Sequence, residues 1–395
     1  MNKAFIALAI GGFGIGLTEF VIMGILPDVA NAIDITIPQA GHFISAYALG
    51  VVVGAPIFTA IGGKMPAHKA LIWLMVWFTI FNTLSALANS YWLLLVSRFL
   101  AGLPHGAFFG IGAVVASKLA KPGKSAQAIA IMFSGLTIAN VLGVPSGTYL
   151  SQNFGWNFAF YMVGFVGILA VLANTFWMPK LPVSSQHGLK EELQIFKRLE
   201  LWLVILLTTI GTGGFFAWYS YIAPLITDVA GHGKEVVSYA MILAGLGMTL
   251  GNLLGAKLAD KLSPIKASSL MLGVMAIVLI LNTFLASNPT LVLVMTFVIG
   301  VVAFCIVTPV QLTMINSAKG SEMMGSSVNQ SAFNMGNASG AYLAGLPIAA
   351  GMGYTSADWV GTAMAASGVV VALIIMQLRK QQQSKNKAYE LEKIR

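Results

Sequence analysis

Three ionisable residues interrupt otherwise apolar runs: Glu19, Arg98 and His105. Burying such a group in hydrocarbon costs about 2.5–3.5 kcal/mol on insertion scales, so its presence inside a span points first to function. Taking the first run as a helix directed outward, Glu19 lies about eight residues before its end at Pro27, roughly 12 Å deep. The fourth run, directed inward from about Tyr91, places Arg98 roughly 10 Å and His105 roughly 20 Å deep. The carboxylate therefore falls between the two nitrogen bases in depth. A carboxyl group keeps its charge beside a cation and takes up a proton when its surroundings dry, so a rearrangement that changes this balance loads or releases a proton. The competing reading is a fixed ion pair that orients two helices and never titrates. Arg98 cannot lose its charge and would tune its partner, while His105 fits either a proton relay or a neutral imidazole bonded to a neighbouring helix.

Arg98, Gly102 and His105 fall at i, i+4 and i+7 and share one side of a helix, along which Gly102, Gly106 and Gly110 form a stripe of small residues. Another helix can approach closely there, and the first helix is the expected neighbour if Glu19 pairs with Arg98. Pro145, flanked by Gly143 and Gly147, marks a bendable stretch of the fifth run. The second half of the chain offers neutral groups instead: Gln330, Asn334 and Asn337 at i, i+4 and i+7, Gln311 near Pro309, and the aromatics Trp218, Tyr219 and Tyr221. Amide donors with aromatic faces suit a neutral hydroxylated or heterocyclic solute. The amides read equally well as links between helices, and the aromatics as an interfacial belt. The segment from Gly11 to Gly16 has nucleotide-loop spacing, but no strand precedes it and it lies in an apolar run, so no cofactor site is expected. The single cysteine, Cys305, excludes a disulfide, and no metal cluster is expected.

The elements that must position these residues follow from composition. With 57% hydrophobic and 9% charged residues among 395, and a mean hydropathy of +0.83, lipid is the solvent for most of the chain. About twelve apolar runs of bilayer length can be read, from near 4–27 to near 358–378, six in each half. Shifted against itself by 197 positions, the chain matches without a gap: Gly14 meets Gly211, Gly50 meets Gly247, Lys64 meets Lys261 and Asn140 meets Asn337. One unit has been used twice, an arrangement that suits a pathway between two bundles that rock. The same shift pairs Glu19, Arg98 and His105 with Phe216, Met295 and Val302, confining ion chemistry to the first half. The expected organisation is all-α and membrane-integral: an N-terminal six-helix bundle (1–179), a cytoplasmic linker with a surface helix (180–200), a C-terminal six-helix bundle (201–378) and a cytoplasmic tail (379–395). Apart from Arg98 and Lys234, every Lys and Arg then falls in a cytoplasmic segment, which sets both termini inside. The net charge of +9 describes this topology and contact with anionic headgroups, with no nucleic-acid partner implied.

At Gly16-Leu17-Thr18-Glu19-Phe20, at Ala40-Gly41-His42 with Tyr47 to Pro56, and at Arg98 through Pro104-His105-Gly106-Ala107-Phe108-Phe109-Gly110, the chain resembles the major facilitator superfamily. Within it the likeness is to the drug:proton antiporter-like group that contains the bacterial arabinose-efflux permeases. The resemblance implies a central cavity lined by helices 1, 4, 7 and 10 and implicates Arg98 in proton transfer. Gly143-Val144-Pro145-Ser146-Gly147 is similar to the helix 5 motif of antiporters, and Leu258-Ala259-Asp260-Lys261 to a gating motif after helix 8. The loop after helix 2, Gly62-Gly63-Lys64-Met65-Pro66, lacks the acidic residue of that motif.

These observations lead to the expectation of a secondary active transporter of a bacterial inner membrane, monomeric and without enzymatic activity or cofactor. It would export a small polar organic solute such as a sugar in exchange for protons, by alternating access. Glu19, Arg98 and His105 would couple protons. Gln311, Gln330, Asn334, Asn337, Tyr219 and Trp218 would contact solute, and Gly102, Gly106, Gly143, Pro145, Gly147, Asp260 and Lys261 would serve packing or gating. The alternatives are a multidrug or nucleobase exporter of the same fold, or a uniporter in which Glu19 is structural.

Overall fold

A computed structural model describes residues 3–121, 125–181, 193–319 and 322–394. The first six membrane helices are α1 (Lys3–Gly24), α2 (Ile37–Gly63), α3 (Ala67–Ala86), α4 (Tyr91–Gly102, resuming as His105–Leu119), α5 (Ser125–Ile138 continuing to Val144–Phe154) and α6 (Asn157–Trp177). The second six are α7 (Leu199–Tyr219), α8 (Glu235–Leu262), α9 (Pro264–Leu285), α10 (Pro289–Ser317), α11 (Glu322–Ala349) and α12 (Ser356–Ile394). Eleven spans among the described residues are long and apolar enough to cross a membrane. The helix outside that set is α11, whose 28 residues include Asn329, Gln330, Asn334 and Asn337. Such a helix is stable in a bilayer only where neighbours shield those amides from lipid.

Local signals fix where several helices begin. Thr36 and Gln39 form a reciprocal capping box at the start of α2, while Ser90 and Asn288 accept backbone N–H groups at the starts of α4 and α10. In α5, Ala139–Gly143 widens into a π-helical turn directly before Pro145. A proline removes one N–H and crowds the preceding turn, and the wider turn accommodates it. The expected bend is therefore a defined backbone feature.

The fold is a pair of pseudo-symmetric six-helix bundles. In the first, α1 packs on α5 and α6, α2 on α4, and α3 on α6; in the second, α7 packs on α11 and α12, α8 on α10, and α9 on α12. The bundles meet along α2 with α11 and α5 with α8. Glycines set the approach. A Cβ on Gly102 would strike the Tyr47 carbonyl, and one on Gly300 the Ala244 carbonyl, so these backbones touch. This equivalence corrects the ungapped repeat, because Tyr47 to Gly102 is one residue shorter than Ala244 to Gly300. In the structure Arg98 corresponds to Thr296 and His105 to Ala303 rather than to Met295 and Val302. The ionisable groups remain a property of the first half.

At the end of the molecule away from the linker the bundles are tied together. Lys234 Nζ lies 3.4 Å from Asp28 Oδ1, Ser151 Oγ donates to Asp28 Oδ2 over 3.2 Å, and Gln152 Nε2 donates to the Lys234 carbonyl over 2.6 Å. Deeper in, Ser45 Oγ donates to the Ala338 carbonyl over 2.9 Å. At the linker end Gly110 of α4 faces Ser327 of α11. Within the linker, Lys190, Glu191 and Glu192 lie outside the described residues, and Leu193–Lys197 forms a 3-10 turn. The segment from Arg379 continues α12 as one helix to Ile394. Lys261 is exposed on the last turn of α8, and the side chain of its neighbour Asp260 lies outside the described residues.

Candidate functional site

Arg98 is fully buried, and its guanidinium is held by one residue. Nη1 donates to Thr18 Oγ1 over 2.7 Å and Nη2 to the Thr18 carbonyl over 3.0 Å. Thr18 Oγ1 in turn donates to Asn82 Oδ1, and Asn82 Nδ2 donates to the Phe78 carbonyl over 2.8 Å, which extends the chain of bonds from α4 through α1 to α3. The guanidinium carbon lies 4.4 Å from the Tyr47 ring centre and 5.2 Å from that of Phe160. A permanent cation removed from water is tolerable here because two aromatic faces and two oxygens replace its hydration. Thr18 stands in the Gly16–Phe20 motif without a role of its own assigned from sequence, and Asn82 in no motif. The available signal was a hydroxyl beside Glu19 and an amide inside the third apolar run.

Glu19 is 2% exposed and lies within electrostatic reach of Arg98, Tyr47 and Asn337. It forms no contact ion pair with Arg98, contrary to the pairing expected from depth alone. The reason is angular: adjacent residues on a helix point about 100° apart, so a guanidinium docked on Thr18 is turned from the Glu19 carboxylate. That carboxylate instead faces Asn337 of the second bundle without a closed hydrogen bond. Glu19 Oε1 and both polar atoms of the Asn337 side chain are buried and unpartnered. An unpaired polar set of this kind is costly unless another state of the protein, a proton or a solute uses it.

Tyr47 joins the bases. Its ring lies against Arg98, and its hydroxyl sits 3.1 Å from His105 Nδ1. His105 is buried and meets Phe109 edge-on at 5.4 Å. The glycine stripe faces a different helix from the one expected. Gly102 and Gly106 abut Tyr47 and Ala55 of α2, not α1, and Gly110 reaches across to α11. Gly143 and Gly147 of α5 face α1, against Phe13, Leu17 and Val21, and Gly135 of the same helix lies against the Ala9 carbonyl. His42, near the start of α2, pairs with the Tyr91 hydroxyl at 2.7 Å.

The second-half amides divide into two groups. Gln311 Nε2 donates to Ser326 Oγ over 3.0 Å and its Oε1 accepts from Asn329 Nδ2, while Asn329 Oδ1 accepts from Thr208 over 3.2 Å. Gln311 is thus committed to a network linking α7, α10 and α11, in which Asn329 and Thr208 are partners that the sequence did not reveal. Gln330 is half-buried, and its carbonyl accepts from Asn334 Nδ2 over 3.0 Å. Asn334 Oδ1 has no partner, like the Asn337 side chain one turn on. Trp218 and Tyr219 are each 1% exposed, which rules out an interfacial belt for them. Tyr219 stacks on Phe215 at 5.0 Å and meets Phe20 at 5.9 Å, Phe20 lies parallel to Phe216 at 6.4 Å, and Trp218 Nε1 is buried without a partner. An aromatic wall therefore spans from α1 to α7, beside Glu19.

Two six-helix bundles that enclose buried polar groups between them define a multi-pass membrane transporter. Residues 8–341 match the sequence profile of the Major Facilitator Superfamily, and the chain belongs to that family. It is 40% identical over 381 residues to the inner membrane transport protein YdhP of Escherichia coli K12, covering 96% of this chain and 97% of that one. To the putative transporter AraJ of the same organism it is 38% identical over 354 residues, covering 90% of each. Among solved structures it is similar to a D-xylose–proton symporter, with a TM-score of 0.73 at 15% identity, over 94% of this chain and 96% of that one. That last likeness concerns the fold alone.

Proposed function

We propose that this transporter exports a small polar organic solute in exchange for protons, by alternating access, with Glu19 as the proton carrier. The observation that carries the reading is the Glu19 carboxyl, buried at the bundle interface with an unpartnered oxygen, opposite an unpartnered Asn337. Arg98 is close enough to influence the carboxyl, yet is held off it by Thr18. With the bundles packed together at this depth, the acid is best satisfied as a proton donor to Asn337. When the bundles part and water enters, the charged form is stabilised and the proton leaves. One charge crossing 100 mV supplies about 2.3 kcal/mol, and a pH gradient adds to it. Solute would meet Asn334, Asn337, Trp218 and Tyr219, whereas Gln311 serves the α7–α10–α11 network. The protein works as a monomer in a bacterial inner membrane, and its basic residues support cytoplasmic termini.

A second reading has its own support: the wall of Phe20, Phe216, Tyr219 and Trp218 suits an aromatic drug or nucleobase better than a sugar. Solute flux in proteoliposomes, with and without an imposed pH gradient, tests the coupling. Glu19→Gln should abolish gradient-driven accumulation while exchange persists. Equal gradient-driven transport by Glu19→Gln would remove Glu19 from the coupling, whereas parental flux that ignores the gradient would mean a uniporter in which Glu19 is structural. Comparing sugars with aromatic cations and nucleobases as the transported solute separates the two substrate classes.

A further inference from the structure

At the linker end of the second bundle, four segments converge around a cavity of about 610 Å³ lined by Arg198, Leu199, Glu200, Asn316, Lys319 and Arg379, with Ser317 at its base. Three of these side chains are cations and one is an anion. The anion is already engaged: Glu200 Oε1 accepts from Arg379 Nε over 2.9 Å, from Arg379 Nη2 over 2.6 Å and from Ser317 Oγ over 3.0 Å. Arg198 spends only Nη1, on the Ser317 carbonyl at 3.3 Å, so its other donors have no partner among the described residues. Lys319 is exposed and likewise has no partner among them. A pocket lined by Lys319, by the remaining donors of Arg198 and by an Arg379 shared with Glu200 favours a compact anion.

The surroundings identify what carries that anion. Leu199 forms part of the wall and is 67% exposed, and Trp202, one turn along α7, is 52% exposed with its indole N–H donated to the Phe196 carbonyl over 2.8 Å. A tryptophan with an apolar exposed body and a satisfied polar edge belongs at headgroup depth. Below it the exposed surface is hydrocarbon-like, including Leu206 on α7 and Leu373 and Ile374 on α12. The cavity therefore opens where the lipid-facing surface ends and the basic extension of α12 begins. We infer that it is a binding site for the phosphate of an anionic phospholipid, gripped by Arg198, Lys319 and Arg379, with the acyl chains lying along α7 and α12. Glu200 competes with that phosphate for Arg379, so occupancy joins the linker, α10 and α12 through a shared anion. None of these residues belongs to the Glu19 site, so the inference holds whether or not Glu19 carries protons.

The test uses the purified full-length protein in a neutral detergent, titrated with phosphatidylglycerol, with zwitterionic phosphatidylethanolamine, or with inorganic phosphate. Binding is read by native mass spectrometry and by the thermal midpoint. Phosphatidylglycerol should bind and raise the midpoint. Arg198→Gln/Lys319→Gln, which breaks at most one hydrogen bond in the lipid-free protein, should weaken that binding by about tenfold or more. Glu200→Gln should strengthen it by freeing Arg379. An unchanged response to phosphatidylglycerol in the double variant overturns the site. A response to inorganic phosphate that equals the lipid's and also depends on Arg198 and Lys319 overturns the lipid as occupant in favour of a free anion. If Glu200→Gln disrupts folding, as gel filtration would reveal, the double variant still decides the outcome.

Discussion

Arg98 reaches across from α4 to grip Thr18 twice, at the hydroxyl and at the backbone carbonyl, and so holds the residue directly before Glu19 rather than Glu19 itself. The cation thereby fixes the rotation of α1 about its axis and, with it, the direction in which the carboxylate points. Thr18→Val keeps the shape but leaves Arg98 Nη1 and Asn82 Oδ1 without their partner. Loss of a buried hydrogen-bond partner costs about 1–3 kcal/mol. A lowered thermal midpoint in detergent is expected for Thr18→Val and a near-parental one for Thr18→Ser, as differential scanning fluorimetry would record.

Arg98→Lys is not conservative at this position. An ammonium cannot bond both Thr18 oxygens in a planar fork while stacking between Tyr47 and Phe160. Gradient-driven flux should fall at least about tenfold, equivalent to about 1.4 kcal/mol, with folded protein still recovered. Parental flux in Arg98→Lys would mean that charge alone suffices.

Glycine positions separate packing from propensity. Gly102→Ala would place a methyl on the Tyr47 carbonyl and push α4 from α2, with an expected loss of about 1–3 kcal/mol. Gly273→Ala, on α9, meets nothing nearer than 4.0 Å and should be neutral or stabilising by up to about 1 kcal/mol, since alanine is the better helix former. Thermal midpoints of the two variants, measured side by side, check the contrast.

A second buried acid, Asp358 at the start of α12, receives Asn282 Nδ2 over 3.0 Å and is 0% exposed. In the sequence it stands at the boundary of the last apolar run, where an acid carries no signal of burial. Asn282→Leu removes that donor and should destabilise by about 1–3 kcal/mol or more. Asn282→Leu/Asp358→Leu should recover part of the loss, because both polar partners are then gone. A double-mutant cycle on unfolding midpoints measures the coupling.

Across the bundle interface, Lys234 and Asp28 are 64% and 19% exposed, so their pair contributes less than about 1 kcal/mol to stability. Its effect should appear instead in how readily that end opens. Asp28→Asn is expected to leave the midpoint within about 0.5 kcal/mol of the parent while raising solvent labelling of a cysteine placed at Ser45. The exchange Asp28→Lys/Lys234→Asp should restore slow labelling.

Much of this architecture was legible in the chain itself. Hydropathy gave the spans, α11 included, because hydrocarbon accepts only long apolar helices; its four amides make α11 less apolar than the other eleven, and only shielding by protein makes them tolerable there. The duplicated glycines announced two like bundles, since close backbone approach excludes any side chain. Periodicity also placed Arg98, Gly102 and His105 on one helix face, but it could not say which helix that face meets. The tertiary structure decided that the glycines touch α2, that Arg98 holds Thr18 rather than Glu19, and that Gln311 is committed to Asn329. It also decided that Trp218 and Tyr219 lie inside and that the repeat slips by one residue between Tyr47 and Gly102. Helical spacing fixes direction around a single axis, whereas partners depend on how several axes are rotated and shifted against one another, and that is set only by the packing of all the helices together.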